Sequence, residues 1–238
     1  MIDTKLIILE GLPATGKTTI SQFLQIQLER NDHNVKWLHE VAHPHPTIFI
    51  PDGFVLSEQY KKLALEKWAA FAEKALGNQN EIHIIDSAVF QFYIFWFLLN
   101  NAPGTDLENF IREIFIIVEP LKPCLFYLYR EDTEASIDFL EQDRGKHDLA
   151  KLWKRDKAMP YYSDKPAGAK GFKCFLRDYA ATAQALFGAA PCNKASFKIV
   201  NGDWTNCKNE MLSFLGIERM ESPDCVPVNG VYKRTGSQ

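Results

Sequence analysis

Apolar residues along this chain fall into two kinds of run. Short, nearly continuous runs occur at Leu6–Leu9, Val35–His39, Ile82–Asp86, Leu125–Tyr129 and Phe197–Val200. Runs of that length and continuity predict strands covered on both faces. Between them, apolar positions recur with the 3.6-residue period of a helix. One stripe is Ile20, Phe23, Leu24 and Leu28; a second is Tyr60, Leu63, Ala64, Trp68, Phe71, Ala72 and Ala75. A third is Phe172, Phe175, Leu176, Tyr179, Ala180, Ala183 and Leu186. Val89–Leu99 (VFQFYIFWFLL) is apolar all round but only 11 residues long. A membrane span needs about 20 residues, so this segment predicts a buried helix. Strands alternating with helices predict an α/β chain with a parallel sheet. Ser163–Gly171 reads as a hinge, and the segment after Gly216 as a tail rich in turn formers.

Composition narrows the function classes without choosing one. The 238 residues are 46% hydrophobic and 24% charged, which excludes a disordered or collagen-like chain. Twenty-seven basic and 30 acidic side chains give a formal charge of −3, no electrostatic basis for nonspecific nucleic-acid binding. The length predicts one domain over 1–238. Cys124, Cys174, Cys192, Cys207 and Cys225 show no C-x-x-C spacing and are odd in number, so free thiols in a reducing cytoplasm are expected. Met1–Thr4 leads directly into the strand-like Lys5–Glu10, so no secretory leader is expected.

The chemistry enters at Gly11–Thr18, GLPATGKT, a complete G-x-x-x-x-G-K-[ST] between a predicted strand and a predicted helix. Gly11 and Gly16 let the backbone through Pro13, Ala14 and Thr15 curl, so that successive N–H groups point at a phosphate. The following helix, opening at Lys17, Thr18 and Thr19, adds its positive dipole end. Lys17 is the expected contact to the β- and γ-phosphates, and the Thr18 hydroxyl the expected Mg²⁺ ligand. Lys17 argues against sulfotransferases. The absence of N-K-x-D, and of D-x-x-G at Asp86, argues against GTPases, and the length argues against large motor or AAA-type ATPases. Small phosphotransferases remain.

From these residues the chain resembles the nucleoside and nucleotide kinase group of P-loop proteins, especially thymidylate kinases and deoxyribonucleoside kinases. The resemblance runs through most of the chain. Val35–Glu40 ends in an acid, IHIIDS ends in Asp86 followed by Ser87, and LFYLYR (Leu125–Arg130) is similar to a Y-L-x strand. An arginine-bearing lid follows at Gln142–Lys146. Glu40, His45–Pro46 and Phe90–Gln91 are also similar to an uncharacterised bacterial P-loop NTPase family. The resemblance implies a three-layer αβα P-loop fold of sheet order 2-3-1-4-5, a helical lid over about 144–166 and a tail over about 217–238. It also implies ATP and Mg²⁺ as cofactors.

Glu40 and Asp86 both close strands at the sheet end where open α/β folds bind ligands. Asp86 is expected to hold Mg²⁺ directly or through water, with Glu40 as its rival for the general base. Residues 144–157 hold six basic side chains, of which Arg144 is expected to close over the transferred phosphate and Arg155 to assist on the substrate side. Arg130 could instead pair with Glu131 or Glu134. Ser87 stands where the kinases of this group carry arginine, which favours a neutral hydroxyl-bearing acceptor over a nucleoside monophosphate. Glu40, His45, Gln91 and Arg155 are the expected acceptor-side residues. His39, His43, His45 and Glu40 together look like a metal cluster, but Pro44 and Pro46 impose an extended backbone and an acceptor-side loop is the better reading. Asn201–Trp204 is expected either to pass the adenine or to cap a helix at Asp203 or Thr205.

The function expected is an ATP- and Mg²⁺-dependent kinase of a small molecule: a nucleoside, a nucleotide, or an antibiotic- or sugar-like metabolite. The alternative is a regulatory P-loop ATPase or nucleotide switch acting on a protein. A small-molecule acceptor is the expected partner, with neither nucleic acid nor membrane, and a homodimer is compatible with the sequence.

Overall fold

The computed structural model describes residues 2–40, 42, 44–50, 53, 55–78, 80–130, 132–200, 204–221, 225–228 and 231–234. Strands β1 (Leu6–Gly11), β2 (Asn34–Leu38), β3 (Glu81–Asp86), β4 (Cys124–Tyr129) and β5 (Asn193–Lys198) pair in parallel in the order β2-β3-β1-β4-β5. The helices are α1 (Lys17–Arg30), α2 (Glu58–Gly77), α3 (Phe90–Leu99), α4 (Gly104–Val118), α5 (Thr133–Arg144), α6 (Lys146–Asp156), α7 (Ala169–Ala189) and α8 (Thr205–Leu215).

Alternation along the central strands divides the interior into two cores. Leu6, Ile8, Ile85 and Leu125 face the α2, α3, α4 and α7 side. Ile7, Leu9, Ile84, Phe126 and Leu128 face α1 and α8. Both faces are covered, which is why these strands read as continuous apolar runs. The predicted helical stripes are buried except for Leu63, which is 43% exposed, and α3 packs as the buried helix its composition requires.

Three boundaries differ from expectation. β5 begins at Asn193 and ends at Lys198, earlier than the apolar run at 197–200, because pairing with β4 recruits polar residues on an edge strand. The turn-rich 163–171 stretch is not one hinge. Gly168 (φ 71°) precedes α7, but Gly171 lies within α7, where a Cβ would collide with the Pro166 carbonyl and crowd the Trp153 ring. The tail opens with Met220 bonded both ways to Gln27 of α1 (2.7 and 2.9 Å), then forms an antiparallel hairpin, β6 (Cys225–Val228) with β7 (Val231–Arg234). In the expected lid region, α5 and α6 are separated by Gly145 (φ 83°). Cys124, Cys174, Cys192 and Cys207 are free thiols. Among the described residues, no helix is long and apolar enough to cross a membrane.

Candidate active site at the phosphate loop

β1 delivers the loop and α1 leaves it. Gly16 is the α1 N-cap, with φ 81°, and no side chain caps that end. The N-terminal N–H groups of α1 therefore stay open to a phosphate. A Cβ on Gly16 would run into the Trp204 indole, so this glycine answers both a left-handed backbone and a close approach. Ala14 holds a left-handed backbone without being glycine (φ 62°). Pro13 and Thr19 flank the cradle half-buried. Thr15 is buried and ties the loop through its hydroxyl to the Leu12 carbonyl (2.8 Å).

Lys17 is 7% exposed and donates to the Gly11 and Leu12 carbonyls (3.0 and 2.9 Å). Burial pulls its pKa down; Asp86, Glu10 and Glu40 pull it back up and Arg144 opposes them. Those five residues thus share one electrostatic neighbourhood. At the β3 end, Asp86 is fully buried, accepting from Thr18 Oγ1 at Oδ2 (2.7 Å) and from Ser87 Oγ at Oδ1 (2.8 Å). Ser87 takes φ 65°, the left-handed conformation that turns its hydroxyl back on its neighbour. A hydroxyl and a carboxylate oxygen side by side are hard donors suited to Mg²⁺ beside phosphate. Among the described residues, no three His, Cys, Asp and Glu side chains could hold a metal by themselves, so nucleotide oxygens would have to complete the shell.

Glu40 lies just past β2, and Gln91 in the first turn of α3. The Gln91 side-chain amide donates to Glu40 Oε2. Burial raises the Glu40 pKa above the usual carboxylate range, and so does Asp86; Lys17 and His39 act the other way. Arg144 ends α5, exposed to solvent but within electrostatic reach of Lys17.

Other expected residues are differently placed. His45 is 6% exposed, and its Nδ1 accepts from the Thr47 and Ile48 N–H groups (3.2 and 3.0 Å), so the ring shapes its own turn. Burial lowers its pKa to about 4, which keeps it neutral. Arg155 forks onto Asp156 (2.7 and 2.6 Å) and lies over Phe95. Arg130 does not pair with Glu134, which is taken bidentately by Arg177 (2.6 and 2.9 Å). Instead Arg130 stacks 3.6 Å above Phe139 and reaches the Ala14 carbonyl (3.4 Å). Trp204, rather than Thr205, is the α8 N-cap, and its ring covers the loop at Gly16. His43, Glu131 and 201–203 lie outside the described residues.

Glu10 escapes the sequence reading. It is fully buried at the end of β1, where its carboxyl accepts the N–H groups of Val89, Phe90 and Gln91 (2.8, 2.8 and 3.1 Å). Burial drives its pKa up to about 7 against those bonds and Lys17. An acid set directly between the apolar run Leu6–Leu9 and the phosphate-loop glycine was the available signal.

No family model and no curated protein sequence matches the chain. Among solved structures it is similar to YorR from Bacillus subtilis, crystallised in complex with phosphorylated GDP. That match has 13% identity over 89% of this chain and 95% of that one, with a TM-score of 0.50. It is also similar to thymidylate kinase from Ehrlichia chaffeensis, at 13% identity, 90% and 99% coverage and a TM-score of 0.49. The sheet order, the phosphate loop between β1 and α1 and the first of these likenesses agree: the chain has a three-layer αβα P-loop fold, shared with YorR.

Proposed function

We propose that the chain is an ATP- and Mg²⁺-dependent phosphotransferase that moves the γ-phosphoryl group to a hydroxyl of a small, uncharged molecule such as a nucleoside or a sugar- or antibiotic-like metabolite. The observation that carries this reading is the convergence of Lys17, Asp86 and the Glu40–Gln91 pair at one end of the sheet. The loop N–H groups and Lys17 receive the phosphates, Lys17 exchanging the Gly11 and Leu12 carbonyls for phosphate oxygens. Thr18 and Asp86 would hold Mg²⁺, which when bound offsets charge on the phosphate oxygens.

Between the two acids, Glu40 is the better general base. Asp86 has one oxygen on Thr18 and the other on Ser87, whereas among the described residues Glu40 is engaged through Oε2 alone. Burial raises its pKa, which also makes it a stronger proton acceptor than an ordinary carboxylate. Glu40 takes the proton of the acceptor hydroxyl as that oxygen bonds to the γ-phosphorus and the bond to the β-phosphate oxygen breaks, releasing ADP. Gln91 orients Glu40, and Arg144 supplies positive charge from the rim. Ser87, bonded to Asp86, offers no cation to an acceptor phosphate, which is why an uncharged acceptor fits better.

The test is ATP consumption against a panel of nucleosides, sugars and uncharged antibiotic-like alcohols, with products read by mass spectrometry. Acceptor-dependent ADP formation supports the reading. Hydrolysis that no small molecule changes would overturn it.

A further inference from the structure

His39 follows β2 directly and enters the Thr18–Asp86 pair from a third side. Its Nε2 stands 3.3 Å from Thr18 Oγ1 and 3.7 Å from Asp86 Oδ2, while Thr18 and Asp86 are 2.7 Å apart. The ring is held in place. Trp37 packs against it with centroids 5.3 Å apart, Trp37 Nε1 donates to Ser21 Oγ (2.9 Å), and Ser21 Oγ donates to the Thr18 carbonyl (3.0 Å). The imidazole is thereby braced against the first turn of α1, the turn that carries Thr18.

For metal–ligand bonds of about 2.1 Å, neighbouring donors of an octahedron stand about 3 Å apart and opposite donors about 4.2 Å. Separations of 2.7, 3.3 and 3.7 Å all fall short of the opposite-donor distance, so the three atoms describe one slightly open triangular face. The remaining face is left for phosphate oxygens and water. Mg²⁺ takes oxygen donors almost exclusively, whereas imidazole nitrogen suits first-row transition ions. We infer that His39 Nε2 is a third protein ligand of the nucleotide–metal site, and that this nitrogen makes the site prefer a divalent transition-metal ion to Mg²⁺. Mg²⁺ then uses Thr18 and Asp86 alone. Binding presents the neutral tautomer that carries its proton on Nδ1. The inference rests on the loop holding a nucleoside triphosphate together with a divalent cation.

Mn²⁺ is the probe, with β,γ-methylene ATP, whose phosphate chain contains no nitrogen. Electron spin-echo modulation of the full-length protein should show imidazole ¹⁴N coupling, replaced by ¹⁵N coupling when the protein carries ¹⁵N-histidine. His39→Gln and His39→Asn should both keep nucleotide-dependent Mn²⁺ binding but lose the coupling. Their Mn²⁺ affinity should fall about tenfold or more, with a smaller change for Mg²⁺. Tight nucleotide-dependent Mn²⁺ binding without imidazole coupling, or coupling that survives both substitutions, overturns the assignment of His39 and leaves the phosphate loop standing. Absence of nucleotide-dependent Mn²⁺ binding in the wild type overturns the nucleotide site itself.

Discussion

Glu10→Gln probes the least conspicuous part of the site. Glu10 is fully buried, and its carboxyl serves three backbone N–H groups at the start of α3. Its pKa in the folded protein is about 7, against an ordinary value of 4.5. An acid whose folded pKa is raised holds its proton more tightly when folded, so stability falls as pH rises from the unfolded value through the folded one. Between pH 5 and pH 8 the wild type should lose about 2–3 kcal/mol through this group alone. Glutamine cannot titrate, and its amide still offers one acceptor oxygen but turns a donor toward the other N–H groups, which costs about 1–3 kcal/mol. The stability of wild type relative to Glu10→Gln should therefore fall by about 2–3 kcal/mol from pH 5 to pH 8. With a urea m-value of about 2.5 kcal/mol/M, that is a relative midpoint shift of about 1 M. Paired urea titrations at the two pH values measure it. A gap that stays constant to within about 0.5 kcal/mol would falsify the claim that burial outweighs the three N–H groups at Glu10.

Other substitutions separate roles within the site. Lys17→Ala should abolish detectable phosphoryl transfer while leaving the melting temperature unchanged or higher, since the lysine is a buried cation whose removal relieves desolvation; retained transfer refutes the loop assignment. Glu40→Gln should lower kcat by about 10²–10⁴ with nucleotide affinity little changed. Because burial raises the Glu40 pKa, wild-type kcat/KM should climb with pH through a value above 4.5, and a flat profile from pH 4.5 to 8 counts against Glu40 as the base. Gly16→Ala should cost about 2–4 kcal/mol from the left-handed backbone and the Trp204 contact. Calorimetry of Gly16→Ala with Trp204→Ala should show part of that loss recovered; strict additivity would mean the ring does not press on the loop.

Legibility followed the range of the interactions. The phosphate loop is local, and its motif specifies a backbone path whatever the rest of the chain does. The strands β1, β3 and β4 and the stripes of α1, α2 and α7 were readable because burial imposes a period on consecutive residues. Polar edge pairing hid the start of β5. Pro227 and the shortness of the two runs obscured the β6–β7 hairpin, although Asn229–Gly230 between them is a turn signal in its own right. Arg155 looked like a lid cation because sequence shows charge but not pairing, and its immediate neighbour Asp156 takes it up.

What the sequence alone determined is a phosphate-binding loop on a parallel α/β sheet, with acids at the ends of the second and third strands. Tertiary structure decided how those parts divide the work. Glu10 meets its N–H partners 79, 80 and 81 residues away, Thr18 meets Asp86 across 68, and Glu40 meets Gln91 across 51. No periodicity encodes such pairs, because they exist only once parallel pairing brings the carboxyl ends of β1, β2 and β3 to one edge. There the low dielectric of the core turns ordinary side chains into a poised acid, a held lysine and a braced imidazole.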